Sequence, residues 1–150
     1  MEHPPDALAD AVDAALPGWV ERCVERLSRA HFGRTPPEVA WAASVAGEQA
    51  RAEVGTALRA LLALDVDEQR TNPLSLLRGA VRYPTAVLRD AGVPPVARNE
   101  FDERAFPDDV YGLAPATWRD VDESLHEPGI VWGAWKAKTV LDRRRAEGRR

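Results

Sequence analysis

Residues 35–64 read TPPEVAWAASVAGEQARAEVGTALRALLAL, and the reading of this stretch decides the fold. Val39, Ala43, Ala46, Ala50, Val54 and Leu58 step by three or four, with Leu61 and Leu62 closing the series, so they share one side of an α-helix. At 1.5 Å per residue the helix is roughly 42 Å long. Thr35-Pro36-Pro37-Glu38 predicts its start as a capping box, in which the Thr35 hydroxyl accepts from the Glu38 amide while the Glu38 side chain reaches back. Several stripe positions are alanine, and small side chains let a second helix approach closely.

That second helix is expected upstream. From Asp6 onward, Leu8, Val12, Leu16, Trp19, Cys23 and Leu27 form another stripe of the same period, and Gly33 has the position of a C-terminal cap. Pro17-Gly18 predicts a break or kink within it, because proline removes an interior hydrogen bond. The two regions predict a long antiparallel pair.

Downstream, Asn72-Pro73 repeats the pattern of a capping residue followed by proline and opens a third helix through Leu74, Leu77 and Val81, with an interruption expected at Pro84. A short helix over residues 85–91 should stop at Gly92. Val93-Pro94-Pro95-Val96 must be extended, since a residue before proline is pushed out of the helical region. Residues 93–128 keep no long period and predict an irregular, aromatic and acidic segment wrapped on the scaffold. Pro128-Gly129 precedes a last amphipathic helix to about Ala146. The fold class is therefore all-α, a helical bundle in one domain over 1–150, with residues 1–5 and 147–150 expected as loose ends.

Composition narrows the function classes. Hydrophobic residues are 45% and charged residues 29% of the 150, which suits a folded globular chain of one-domain length. The net charge of −4 and a sequence pI near 5.4 disfavour general nucleic-acid binding. Arginine outnumbers lysine, of which there are only Lys136 and Lys138, a bias that suggests high-GC coding and a bacterial source. The N-terminus lacks the basic and apolar runs of a signal peptide, no long apolar stretch occurs, and the single cysteine cannot form an internal bridge; a soluble cytoplasmic protein is expected.

No nucleotide-binding glycine loop, HExxH or GxSxG pattern is present, and Cys23, on an apolar stripe, reads as a small buried hydrophobe rather than a nucleophile. Carboxylates at Asp102, Glu103, Asp108, Asp109 and Asp122, with His126, match no metal-ligand motif, so neither a metal nor another cofactor is expected. A non-enzymatic interaction or regulatory protein is the leading expectation.

Its partner should be another protein, and the composition is compatible with a homo-oligomer. Residues 96–129 carry nine acidic and three basic side chains, whereas residues 130–150 carry seven basic and two acidic. This asymmetry predicts either an intramolecular contact or a basic tail for an acidic partner. Within residues 96–129, Phe101 and Phe106 are expected to be buried anchors, leaving Asp108, Asp109, Tyr111 and Trp118 for a partner, together with Arg143, Arg144 and Arg145 of the tail. The alternative is a small-molecule or anion-binding protein, with some weak catalysis, using Arg78, Arg82 and Arg89 with acidic side chains of residues 100–125 around a pocket. The spacing of the three arginines places them on one helix face if the helix continues past Pro84; otherwise they are a solvated charged face.

Overall fold

The computed structural model describes residues 2–148, and α1 (Pro4–Phe32) and α2 (Pro37–Ala63) form its scaffold. Arg59, near the end of α2, reaches Asp10 at 3.0 Å and Asp13 at 2.7 Å near the start of α1, so the two helices run antiparallel. Leu8, Val12, Leu16, Val20 and Val24 of α1 meet Ala50, Val54 and Leu58 of α2 in the core. All of these positions follow the 3.6-residue period, and burying each large aliphatic side chain contributes about 1.5–3 kcal/mol.

Two expectations about this pair are corrected. Pro17 does not break α1, which passes through it as one helix. The buried stripe continues on both sides of the proline, and this packing offsets a cost of about 3 kcal/mol for interior proline. Gly47 of α2 lies directly against that point: a Cβ there would sit 3.0 Å from the Pro17 Cα.

Thr35 is not the cap of α2 either. Pro36 occupies that position, with φ −58° and ψ 145°, and Pro37 is the first helical residue. A proline there gives up an N–H that would have had no helical partner, so the helix starts one residue later than a Thr35 cap requires. The Thr35 Oγ1 is buried and has no hydrogen-bond partner among the described residues. Gly33 does close α1, at φ 78°, with its N–H donating to the Arg29 carbonyl at 2.8 Å.

α3 (Pro73–Gly79) begins as expected, with the Asn72 side chain accepting from the Leu74 amide at 2.9 Å. The interruption before α4 (Arg82–Asp90) falls at Ala80 and Val81 rather than at Pro84, which sits in the first turn of α4 where proline is tolerated. Gly92, at φ 80°, follows α4. Three short pieces come next: α5 (Glu100–Ala105), α6 (Trp118–Val121) and a 3-10 turn (Glu123–Leu125).

The final helix, α7 (His126–Gly148), starts two residues before Pro128 and packs on α1, with Trp132 buried and the Trp135 ring edge-on to His3 at 5.0 Å. Gly129 is buried because the Trp118 indole occupies the space a side chain would need. Gly133 has open space instead. No described helix is long and apolar enough to cross a membrane.

The helix α1 starts inside the expected N-terminal loose end, with Pro5 already buried, and α7 extends to Gly148. Met1, Arg149 and Arg150, which complete the expected loose ends, lie outside the described residues. The basic tail is also corrected. Arg143 pairs with Asp65 and Asp67 in the link after α2 rather than with a carboxylate of residues 96–129, although α7 itself packs against α6 and the 3-10 turn of that segment; Arg144 and Arg145 are exposed.

One tie between α1 and the segment before α7 titrates. Arg22 donates to the Val121 carbonyl at 2.8 Å and to the Asp122 carboxylate at 3.0 Å, while the Ser124 hydroxyl and amide donate to the same carboxylate at 2.5 and 3.0 Å. The Ser124 hydrogen bonds, followed by the Arg22 charge, hold the Asp122 carboxyl below its ordinary value of 3.8. A depressed folded-state value stabilises fully above the ordinary one and is lost as pH falls through the folded value. Asp122→Ala is expected to cost about 1 kcal/mol at neutral pH, as loss of a capping side chain does. Chemical denaturation across the acid range should show the deficit shrinking; an equal deficit at every pH would remove the carboxylate as its source.

Candidate functional site

The 93–125 segment wraps on the scaffold as expected, with short helical turns, but polar ties hold it rather than its phenylalanines. Asn99 caps α5 by accepting from the Asp102 amide at 2.7 Å. Arg98 spans the other end, donating to the Phe106 carbonyl at 2.6 Å. Arg78 of α3 donates to the Pro115 and Ala116 carbonyls at 3.0 and 3.4 Å, and Asp120 accepts from the Ala116 and Thr117 amides at 3.0 Å. Unpaired backbone groups would resist docking, and these side chains satisfy them.

Asp109 and Tyr111 were expected at the surface and are instead structural. Asp109 is 7% exposed, and its two carboxylate oxygens accept from the Leu113 amide at 2.7 Å and the Ala114 amide at 2.9 Å. An aspartate followed by a chain reversal finds local amides, which explains why it turns inward. Tyr111 is 2% exposed and donates its hydroxyl to the Val93 carbonyl at 2.6 Å. Trp118 is half-buried against Gly129. None of the three is presented to a partner as an open side chain.

The phenylalanines reverse the expectation in the other direction. Phe101 is 73% and Phe106 39% exposed. Val93, Tyr111, Leu113, Val121 and Leu125 supply the apolar burial for the segment, so the two rings are not needed as anchors. Asp108 is exposed beside Phe106, as expected.

The three arginines singled out by spacing do converge. Arg78, Arg82 and Arg89 line one cleft of about 570 Å³ between α4 and the turn after α5, opposite Phe106, Pro107 and Asp108. α4 buries Tyr83, Pro84, Val87 and Leu88, which turns Arg82, Ala86 and Arg89 outward. Arg82 lies over the Tyr83 ring at 4.7 Å and donates to its hydroxyl at 2.9 Å; that hydroxyl donates to Glu53 at 2.6 Å. Burial, together with the Glu53 hydrogen bond, pushes the Tyr83 phenol up, so it stays a neutral donor. Arg89 has no carboxylate within 4.0 Å among the described residues. Planar guanidinium groups on one wall suit a carboxylate or phosphate.

A second cleft of about 590 Å³ lies on the opposite flank of α4, against α2, and contains Trp41, Val45 and Val87 with Glu38 and Asp90 among its lining residues. Trp41 is 71% exposed. The sequence reading placed no function on it, although Trp41 and Val45 stand four residues apart and off the buried stripe of α2. That offset was the available signal.

Cys23 is buried as expected, and burial pushes its thiol up to about 11, so it carries no thiolate at neutral pH. No group of three or more His, Cys, Asp or Glu among the described residues is placed to hold a metal ion. No protein-family model, curated protein or solved structure matches the chain.

Proposed function

We propose that the chain is a non-enzymatic interaction protein that binds another protein through the face formed by α5, the turn after it and the arginine side of α4. The observation that carries this reading is the exposure of Phe101 and Phe106 on a backbone held in place by Asn99, Arg98, Arg78 and Asp109. Aromatic side chains on an already ordered segment can be covered with little further loss of chain entropy, and aromatic and arginine side chains together dominate binding energy at interfaces. The C-terminal helix is the weaker part of the proposed surface, because Arg143 is engaged within the molecule.

Affinity capture from the native cell with the intact chain and with a Phe101→Ser, Phe106→Ser double variant tests the reading. A partner should be recovered with the former and fall by at least about tenfold with the latter, as loss of central aromatic contacts does. Identical recoveries, with the variant still folded by circular dichroism, would overturn it.

The convergence of Arg78, Arg82 and Arg89 supports a second reading, a small anion in their cleft. Millimolar inorganic phosphate or benzoate should then raise the melting temperature of the intact protein but not that of Arg89→Gln. No shift for either anion removes this reading.

A further inference from the structure

The two clefts beside α4 share Arg82 and Ala86, so they meet on the outer face of that helix. Ala86 is exposed and carries only a methyl group, which leaves a low crossing point between Arg82 and Arg89. On one side of the crossing stand Trp41 and Val45, and on the other Phe106 and Pro107. The result is an open surface with an apolar site at each end and guanidinium groups at the middle.

Charge gives this surface a direction of fit. Glu38 and Asp90 line the Trp41 end, and Asp108 lines the Phe106 end. Arg78, in the Phe106 cleft, already donates to the Pro115 and Ala116 carbonyls, so an acidic group is drawn to Arg82 and Arg89 at the crossing and away from the carboxylates toward either end. At that crossing Arg89 has no carboxylate within 4.0 Å among the described residues, and Arg82 has Glu53 no nearer than 3.9 Å. A compact anion would occupy the arginine cleft and leave Trp41 and Val45 uncovered, whereas a chain segment spans both ends.

We infer that this groove binds a segment of a partner protein that carries an acidic side chain with a large apolar side chain on each side of it. The acid lies over Arg82 and Arg89, and the apolar groups cover Trp41 and Val45 at one end and Phe106 and Pro107 at the other. This inference rests on the interaction reading above and names the chemistry of the partner. It enlarges the surface beyond α5, because Trp41 and Val45 belong to α2.

Selection of a random peptide display library against the intact protein tests it. Enriched sequences should place Asp or Glu between two large apolar residues. A synthetic peptide of that sequence should lose at least about tenfold in affinity with Trp41→Ala, with Arg89→Glu and with Ala86→Trp. Ala86→Trp is the decisive variant: its indole fills the crossing from an exposed position, and a melting curve checks that the fold is kept. Ile130→Ser, at an exposed position of α7 that lines neither cleft, should leave peptide affinity unchanged. Absence of enriched sequences, enrichment without the acid, displacement of the peptide by millimolar phosphate without any role for Trp41, or indifference to Ala86→Trp overturns the groove. A cellular partner that requires Phe101 yet ignores Ala86→Trp overturns the groove and leaves the interaction reading standing. A groove-dependent peptide, with cellular recoveries that fall with Ala86→Trp but not with Phe101→Ser alone, supports the groove and overturns the α5 surface.

Discussion

Asp109→Ala is expected to lower the unfolding free energy by about 3–5 kcal/mol, because two charge-assisted hydrogen bonds are lost together and each contributes about 1.5–3 kcal/mol. The side chain is buried, its oxygens are the acceptors for the Leu113 and Ala114 amides, and nothing else among the described residues replaces them. Removing the carboxylate leaves one buried and one half-buried amide without a partner in the turn that leads from Tyr111 to Pro115. Loosening this turn also releases Leu113 from the core and disturbs the carbonyls that Arg78 holds. Asp108→Ala, one residue earlier and exposed, should change stability by no more than about 0.5 kcal/mol. Urea unfolding of the two variants makes the comparison. A loss below about 1 kcal/mol for Asp109→Ala would mean that water satisfies these amides and that the carboxylate does not hold the turn.

Gly47→Val should cost about 2–3 kcal/mol, at the upper end of overpacking in a tight core, through the scaffold rather than through any surface. A Cβ at Gly47 already meets the Pro17 backbone at 3.0, 3.1 and 3.4 Å, and the two methyl groups of valine add volume where neither helix backbone can rotate away. The helices would have to separate along the contact that buries Leu16, Val20 and Ala50. Gly133→Ala is the opposite case. A Cβ there has nothing within 4 Å, so the substitution should stabilise α7 by about 0.5–1 kcal/mol through helix propensity alone. Thermal melts of both variants test the contrast; equal and small effects would show that α1 and α2 are not in close contact at Pro17.

Legibility followed the range of the interactions involved. The helical class, the antiparallel pair, the C-terminal glycine cap at Gly33 and the Asn72 cap were readable because a helix satisfies its backbone within four residues and displays its buried side as a period. The Arg78, Arg82 and Arg89 group was legible for a related reason. Although the helix they were read on is divided at Ala80 and Val81, the break is short enough that all three still line one cleft. Proline was misread at three places, because its cost depends on position: Pro84 and Pro128 sit harmlessly in first turns, and Pro17 is offset by packing that lies elsewhere in the chain.

By itself, then, the sequence determined which stretches are helical and which sides of α1 and α2 are buried, since apolar period and local capping act within a few residues of each position. Only the tertiary structure decided which side chains of residues 93–125 face inward. Phe101 and Asp108 lie in the same short irregular stretch as Asp109 and Tyr111, and the local sequence assigned the two phenylalanines to the core and Tyr111 with both aspartates to the surface. Burial there was settled by partners: the Val93 carbonyl for Tyr111, the Leu113 and Ala114 amides for Asp109, and Arg78 from α3 for the Pro115 carbonyl. The meeting of Trp41 from α2 with the outer face of α4 likewise depends on how separate helices pack. A periodic pattern records the side a helix turns to the core, but it does not record which element arrives opposite, because that is chosen by the summed packing and hydrogen bonding of residues distant in the chain.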